Sequence, residues 1–227
     1  MDQQKTALVL GATGLVGSKL LQLLLHAQQY SHVIAITRKP LADHGKLQQV
    51  LLQDFEQMEE YAHLFSGVDD VFCCLGTTIK QAGSQDRFRQ VDYAYPLAAA
   101  RIAEKAGVRR FLLVSAMGAN SQSRIFYNRV KGEAEKEICA LQLPCVSILR
   151  PSLLLGERKQ FRFGERLASW ILPPLAPIFR GRLFKYRPIQ AQAVAAAMLG
   201  AAQILTSGTN IYENDQLHRM ASRYSNG

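Results

Sequence analysis

The chain has 227 residues, of which 48% are hydrophobic and 20% are charged. This balance is typical of a globular protein, and it excludes the low hydrophobicity and high charge of disordered chains. The length allows one domain or at most two small ones, and we expect a single domain over residues 1–227.

The sequence indicates neither a membrane span nor an export signal. No apolar run approaches the roughly 18 uncharged residues that a membrane-spanning helix needs. The first ten residues lack the basic start and the long apolar core of a signal peptide. We therefore expect a cytoplasmic protein.

The four cysteines show no spacing that is typical of a metal site or a disulfide framework. Cys73 and Cys74 are adjacent in an apolar run, and Cys139 and Cys145 complete no C-x-x-C pair. We interpret all four as reduced core residues, and we expect no bound metal.

Strands and helices alternate along the first 150 residues. Apolar runs of strand length lie at Ala7–Leu10, Val33–Thr37, Gln49–Leu52, Asp70–Leu75, Phe111–Ser115 and Cys145–Leu149. Helical patterns lie between them at Leu15–Ala27, Met58–Phe65, Phe88–Ala106 and Arg124–Leu141. This alternation predicts an α/β fold, a Rossmann-like doubly wound parallel sheet with helices on both faces.

The pattern changes after Arg150, where prolines separate basic and apolar residues. Residues 150–187 contain nine Lys and Arg against two Glu, although the net charge of the whole chain is only +9. We predict a short C-terminal cap over the strand ends at about 150–187, followed by a returning helix at about 189–205. The basic residues lack an aromatic stacking pattern or a recognised binding module, so nucleic-acid binding is disfavoured.

A glycine-rich loop follows the first predicted strand and opens the first predicted helix. Its glycines would permit a tight turn, the approach of a phosphate to the backbone and close helix–strand packing. The helix N-terminus would offer free N–H groups to a pyrophosphate. The loop predicts dinucleotide binding through Gly11, Thr13, Gly14, Leu15, Val16 and Gly17.

The end of the second predicted strand indicates which dinucleotide is preferred. An enzyme that uses NAD usually has an acidic residue there for the ribose 2′-hydroxyl. This chain has Arg38 and Lys39 instead, with no acidic residue before Asp43. A guanidinium can hold a 2′-phosphate with two hydrogen bonds, so the sequence favours NADP(H) over NAD(H), the alternative being a solvated basic turn.

Three further residues form a candidate catalytic set. Tyr127 and Lys131 are four residues apart in a helical pattern and share one helix face, and Ser115 ends the strand before them. A nearby ammonium would stabilise the phenolate of Tyr127, whose ordinary pKa of about 10 is too high for acid–base work near neutrality. The lysine could also bond the nicotinamide ribose, and the serine could orient a substrate oxygen.

Together these motifs resemble those of the short-chain dehydrogenases/reductases. The G-x-x-G-x-x-G spacing with Thr13 is similar to that of the extended and atypical members. Three other segments resemble the atypical, Tat-interacting-protein-like branch, namely Cys73–Thr78, Val91–Tyr93 and Arg150-Pro151. The resemblance covers nearly the whole chain.

The resemblance implies further contacts with the cofactor. Leu75, Gly76 and Thr77 would line it, and the loop after Pro151 would cover the nicotinamide. Asp54 and Phe55 would flank the adenine. A dimer formed through helices is also common in the family.

Asp92 is a departure from the resemblance. Many family members have at this place an asparagine that supports a proton relay, whereas an ionised aspartate cannot donate a hydrogen bond. Asp92 either weakens the relay or simply pairs with a neighbouring arginine.

We therefore expect an NADP(H)-dependent oxidoreductase that acts on a carbonyl or an alcohol, with Ser115, Tyr127 and Lys131 as its catalytic residues. The alternative is a dinucleotide-binding regulator that senses redox state and binds a partner protein. The basic segment at 150–187, including Arg158, Lys159 and Arg162, favours an anionic and partly apolar ligand or an acidic partner. A solvated loop is the other interpretation of this segment.

Overall fold

The computed structural model describes residues 4–156 and 181–225. Their main element is a sheet of seven strands that pair in parallel throughout, in the order β3-β2-β1-β4-β5-β6-β9. The strands are β1 (Lys5–Leu10), β2 (Tyr30–Thr37), β3 (Leu47–Leu51), β4 (Asp70–Cys73), β5 (Arg110–Val114), β6 (Cys145–Arg150) and β9 (Gly208–Glu213). Two short strands, β7 (Leu154–Leu155) and β8 (Ile189–Gln190), pair apart from this sheet.

Helices connect the strands. They are α1 (Leu15–His26), a 3₁₀ helix (Phe55–Phe65), α2 (Ile79–Ala82), α3 (Gln85–Arg89), a π-helical turn (Gln90–Ala94), α4 (Tyr95–Lys105), α5 (Phe126–Cys139), a second 3₁₀ helix (Gly181–Tyr186), α6 (Ala191–Ala201) and α7 (Asn214–Ser225). Because successive side chains of a strand point to opposite faces, each face of the sheet needs its own covering layer.

The buried strand β1 shows how the two layers form. Ala7 and Val9 pack in one core with α1, α6 and α7. Leu8 and Leu10 pack in the other core with the first 3₁₀ helix and α4. Burying each large apolar side chain contributes about 1.5–3 kcal/mol, so both faces stabilise the sheet. The predicted Rossmann-like doubly wound fold is confirmed.

The strand order places a crevice beside β1. The chain runs from β1 outward to β2 and β3, then returns so that β4 pairs with the other side of β1. In such sheets ligands bind outside the carboxyl ends of the strands at this reversal. We therefore expect a ligand site next to the segments that follow β1 and β4.

A buried carboxylate joins the opposite, amino ends of the strands. Asp70, which is fully buried at the start of β4, accepts a hydrogen bond from the Tyr30 hydroxyl at 2.5 Å. It also pairs with Arg110 at 3.2 Å and with Lys5 at 3.5 Å. Burial and the neighbouring Asp70 carboxylate raise the pKa of Tyr30. We call these four residues the amino-edge cluster.

Several element bounds differ from the sequence prediction. The helix predicted at Met58–Phe65 is a 3₁₀ helix that begins at Phe55, because the Asp54 side chain accepts a hydrogen bond from the Glu56 amide. The single helix predicted at Phe88–Ala106 consists of α3, a π-helical turn and α4. The returning helix is shorter than predicted, and the sequence analysis missed β9 and α7.

The cap predicted at about 150–187 falls mostly outside the described residues. Arg158, Lys159 and Arg162 lie outside the described residues. Within the described residues, no helix has the length and apolar character required to cross a bilayer.

Candidate functional site

The glycine loop between β1 and α1 is shaped by steric need. Gly11 has a φ of +81°, and a Cβ at this position would lie 2.7 Å from the Cys74 carbonyl oxygen. A Cβ on Gly17 would overlap the Gly11 carbonyl, so α1 could not pack this closely on the loop. The Gly14 amide donates to the Gly11 carbonyl at 2.9 Å. Only glycine permits this turn at these two crowded positions.

The N-terminus of α1 is open to a ligand. Its N-cap is Gly14, which has no side chain to accept from the first amides of the helix. Thr13 and Gly14 are exposed, whereas Leu15 is half-buried and Val16 is buried. Uncapped amides and the helix dipole favour an anion, so the loop fits the pyrophosphate of a dinucleotide.

The turn after β2 holds Arg38 and Lys39 at the surface. The Thr37 hydroxyl donates to the Lys39 carbonyl at 3.0 Å and accepts from the Lys39 amide at 3.3 Å. Gln53 donates to the Arg38 carbonyl at 3.1 Å. The backbone of the turn is thus fixed, and both basic side chains are exposed.

The two residues predicted beside the adenine occupy different environments. Asp54 is exposed, and its carboxylate caps the 3₁₀ helix and accepts from the Tyr95 hydroxyl at 3.4 Å. Phe55 is buried, with its ring 5.7 Å from that of Tyr95. The Phe55 ring is therefore a core group, and its contact with adenine stays a prediction.

The segment after β4 extends from the glycine loop toward α5. Its first residues include Cys74, whose carbonyl lies against Gly11, and Leu75, which is half-buried. A Cβ on exposed Gly76 would lie 3.5 Å from the Lys131 Nζ atom. The segment thereby connects the phosphate loop with the candidate catalytic helix.

Lys131 and Asp92 form a buried ion pair. The Lys131 Nζ atom lies 2.8 Å from Asp92 Oδ1, and the two residues are only 5% and 1% exposed. Asp92 Oδ2 also accepts from the Thr77 amide at 2.9 Å. Burial lowers the pKa of Lys131, but the neighbouring Asp92, Tyr127 and Cys73 together raise it by more, so the pKa of Lys131 is raised.

The partner of Asp92 differs from the one proposed from the sequence. We considered a pair with a neighbouring arginine, and the structure shows a pair with Lys131 instead. Nearby Arg89 pairs with Glu133 and lies over the Tyr93 ring. Asp92 is thus in direct contact with a member of the candidate catalytic set.

Tyr127 lies one helical turn before Lys131, as its spacing predicts. It is half-buried near the start of α5, and its ring centroid lies 5.4 Å from that of buried Phe88. Phe126 also contacts Phe88, at 5.7 Å between ring centroids. This aromatic contact supports the beginning of α5 and restricts the Tyr127 ring.

Ser115 is buried directly after β5, and its hydroxyl donates to Glu135. Glu135 pairs with Arg150, whose guanidinium nitrogens donate to both carboxylate oxygens at 2.6–3.2 Å. Arg150 also donates to Glu213 at 3.0 Å. An ionised carboxylate only accepts, so Ser115 must be the donor.

Glu135 is a residue that the sequence analysis missed. It lies four residues after Lys131 and eight after Tyr127, on the same helix face, and this spacing was a usable signal. Pro151 is buried after β6, and its carbonyl accepts from the Met117 amide at 2.9 Å. The loop that follows it lies largely outside the described residues.

The described residues contain no metal-binding cluster and no disulfide. No group of three or more His, Cys, Asp and Glu residues in this part of the chain could hold a metal ion. The cysteines Cys73, Cys74, Cys139 and Cys145 are all free thiols. Burial raises the pKa of the Cys73 thiol to about 12, so this thiol is neutral at physiological pH.

The chain is similar in sequence to proteins of a known family. A family model described as NAD(P)H-binding matches residues 11–166. The mitochondrial protein FMP52 of Debaryomyces hansenii is 34% identical over 207 residues, which cover 89% of this chain and 90% of that protein. The protein HTATIP2 of Rattus norvegicus is 40% identical over 171 residues, or 73% of this chain and 69% of that protein.

Solved structures agree on the fold. MoeE5 in complex with UDP-glucose and NAD has a TM-score of 0.69 at 17% identity, over 97% of this chain and 82% of that one. A putative NAD-dependent epimerase/dehydratase from Bacillus halodurans has a TM-score of 0.67 at 20% identity, over 96% and 99%. The oxidoreductase ylbE of Lactococcus lactis has a TM-score of 0.55 at 25% identity, over 67% and 71%.

One prediction is wrong in the light of these relatives. The sequence analysis led us to expect a cytoplasmic protein, but the FMP52 relatives are named mitochondrial proteins. The signal considered was a secretory one, and its absence does not distinguish these two compartments.

The match of the family model, the identity to HTATIP2 and FMP52 and the glycine loop agree: the chain belongs to the NAD(P)H-binding family of atypical short-chain dehydrogenases/reductases.

Proposed function

We propose that the chain is an NADP(H)-dependent oxidoreductase that interconverts a carbonyl and an alcohol. The observation that carries this proposal is the position of Lys131. Its buried ammonium lies beside Gly76, a residue of the segment after β4 that contacts the glycine loop. Lys131 itself lies in α5, one helical turn after Tyr127. A ligand that extends from the glycine loop along this segment would therefore reach the phenol.

Each residue of the set has a role that follows from its chemistry. The bound nicotinamide would supply or accept the hydride. Tyr127 would give a proton to the oxygen of the substrate in reduction and take it back in oxidation. Lys131 would hold the nicotinamide ribose and stabilise the phenolate of Tyr127. Ser115 would position the substrate oxygen, which requires its hydroxyl to turn from Glu135 to that oxygen.

The preference for NADP(H) is supported by the turn after β2. Arg38 and Lys39 are exposed on a backbone that hydrogen bonds hold in place. Asp43, the first acidic residue after the strand, accepts from Gln49 at 3.0 Å. A 2′-phosphate would thus meet cations in this turn, which favours its binding.

An anionic substrate is also part of the proposal, and its support is the basic sequence at 150–187. Of the basic residues there that the structure describes, Arg150 is neutralised by Glu135 and Glu213. Any attraction of a carboxylate or phosphate would come from other members of the segment. It would weaken as salt is raised.

The reaction is tested by replacing Tyr127 with Phe. NADPH oxidation would be followed by absorbance with a panel of aldehydes and ketones. We expect Tyr127→Phe to bind NADPH as the unchanged protein does but to lose roughly 10²–10⁴-fold in turnover, since only the proton donor is removed. The matched control is Tyr61→Phe, because Tyr61 is a half-buried tyrosine of the first 3₁₀ helix and is not part of the candidate catalytic set. Full turnover by Tyr127→Phe would contradict the assignment.

A second candidate function is a dinucleotide-binding regulator with little turnover. The observation that favours it is the hydroxyl of Ser115, which donates to Glu135 and so has no proton left for a carbonyl oxygen. A regulator would bind NADPH, reduce none of the panel and change its oligomeric state or its partner between NADPH and NADP⁺. Light scattering with each nucleotide, beside the turnover assay, separates the two functions.

A further inference from the structure

Three separate parts of the chain meet at Asp92. The residue lies in the π-helical turn before α4, Lys131 lies in α5, and Thr77 lies in the segment after β4. One carboxylate oxygen lies 2.8 Å from the Lys131 ammonium, and the other accepts from the Thr77 amide at 2.9 Å. One oxygen of Asp92 thus forms an ion pair and the other accepts a hydrogen bond, and the residue is only 1% exposed.

Among the described residues, three titratable groups interact electrostatically with Lys131. Asp92 faces it from the π-helical turn, Tyr127 from its own helix and Cys73 from β4. The Cys73 thiol is neutral because burial raises its pKa to about 12. The phenol of Tyr127 is the group that exchanges its proton in the proposed reaction. Among the described residues around Lys131, Asp92 therefore supplies the fixed negative charge.

A buried ammonium without a counter-charge tends to lose its proton. Transfer out of water penalises the cation strongly, and buried lysines are known to titrate several units below their ordinary value. Lys131 is only 5% exposed, so this penalty applies to it. The Asp92 carboxylate is what offsets the penalty here.

We propose that Asp92 is a positioning residue that keeps the Lys131 ammonium charged and fixes it to the turn after β4. The Asp92 carboxylate thereby joins two parts of the site. One is the segment after β4, which is expected to line the cofactor, and the other is α5, which contains Tyr127. The inference rests on the proposed function only in giving Lys131 a role toward the cofactor. The ion pair itself does not depend on turnover.

An asparagine cannot replace Asp92 in this role. It has one acceptor oxygen, so it can serve either the Thr77 amide or the Lys131 ammonium but not both. Its amide nitrogen would face another donor, and the negative charge would be gone. Asp92→Asn therefore removes the proposed action with almost no change of volume.

The test is the titration of Lys131 by NMR, with the Cε carbons of lysine labelled with ¹³C. The signal is assigned by its loss in Lys131→Arg. In the unchanged protein we expect it to stay that of an ammonium up to at least about pH 10, the ordinary range of lysine. In Asp92→Asn we expect its midpoint to fall by at least about one pH unit. NADPH binding, measured by fluorescence, should weaken as the turn loses its tie to α5.

Asp70→Asn is the matched control, because Asp70 is also a fully buried aspartate paired with a cation. It lies in the amino-edge cluster, so it should lower stability without moving the titration of Lys131. A midpoint unchanged in Asp92→Asn, or moved equally by Asp70→Asn, would overturn the proposal.

The unchanged protein provides a second test that does not depend on the folding of a variant. A Lys131 signal that titrates well below the ordinary range of lysine would show that Asp92 fails to keep the ammonium charged. The titration also distinguishes this proposal from the reaction itself. Loss of the proposed function, with no carbonyl reduced, would leave the expected titration of Lys131 unchanged.

Discussion

In the proposed function, single residues would decide which dinucleotide this chain prefers and how it positions the substrate oxygen. Arg38 is exposed at the end of β2, and the backbone around it is held by Gln53 and by the Thr37 hydroxyl. The proposed preference for NADP(H) would therefore depend on the charge of this side chain more than on any change in the shape of the turn.

Arg38→Asp should weaken NADPH binding by roughly 10–100-fold, the effect of a lost charge-assisted hydrogen bond together with a new repulsion of the 2′-phosphate. Binding of NADH should change little, because NADH lacks that phosphate. Titration of both nucleotides, followed by fluorescence, measures the effect. Arg101→Asp, an equal change of charge at an exposed position of α4, is the control. Equal affinities of the unchanged protein for NADH and NADPH would contradict the preference.

The sequence predicted where the candidate site residues lie in the fold better than it predicted their contacts. The spacing of Tyr127 and Lys131 is local, so a helix places both on one face, and the glycine loop is equally local. The pair of Asp92 with Lys131 joins residues 39 positions apart, and only the packing of the π-helical turn against α5 brings them together. Local patterns contain no information about such a contact.

At the scale of whole elements, α5 is positioned by a glycine. A Cβ on Gly132 would overlap the backbone of Asn120 and Ser121, in the loop between Ser115 and Tyr127. The helix therefore lies directly against that loop. This close approach sets where α5 stands relative to the end of β5.

Gly132→Ala should destabilise the protein by about 1–3 kcal/mol, because the added methyl meets backbone that must move. An alanine in a helix would otherwise be favourable by up to about 1 kcal/mol. Gly200→Ala in α6 is the matched control, because a Cβ there meets nothing within 4 Å. It should raise the free energy of unfolding, measured with urea, where Gly132→Ala lowers it. Equal effects of the two variants would show that the loop gives way easily.

Two features that were not predicted from the sequence, β9 and the first turn of the first 3₁₀ helix, share a physical cause. β9 is an edge strand of the described sheet whose residues are exposed or only half-buried, so it shows no strong apolar alternation. The first 3₁₀ helix has little apolar periodicity beyond Phe55, Met58 and the final Leu64-Phe65 pair. Patterns of burial predict elements well only where one side is fully covered.

At the scale of the whole molecule, the sequence indicated a sheet with helices on both faces, and the two cores account for it. The apolar runs are long enough to be buried on both sides, as parallel strands are. The amino-edge cluster was not foreseen, because Tyr30, Asp70 and Arg110 come from three different strands.

Asp70→Asn should lower the free energy of unfolding by about 3 kcal/mol, because it leaves the buried part of Arg110 without its counter-charge. NADPH affinity should remain that of the unchanged protein, since the cluster lies at the opposite edge of the sheet from the glycine loop. Thermal unfolding and nucleotide titration on the same samples measure both quantities. A parallel loss of NADPH affinity in folded protein would contradict this separation.

The amino-edge cluster has a consequence for how this protein can change. Four to six residues of strand, roughly 13–20 Å, separate it from the residues expected to recognise the nucleotide. Substitutions that change the stability of the fold can therefore accumulate at the amino ends of the strands, while substitutions at the carboxyl ends alter ligand recognition. Substitutions this far apart change the free energy of unfolding additively. A variant stabilised at Lys5, Tyr30 or Arg110 could therefore tolerate more destabilising substitutions around Tyr127. Stability and ligand recognition can thus change independently, at opposite ends of the same strands.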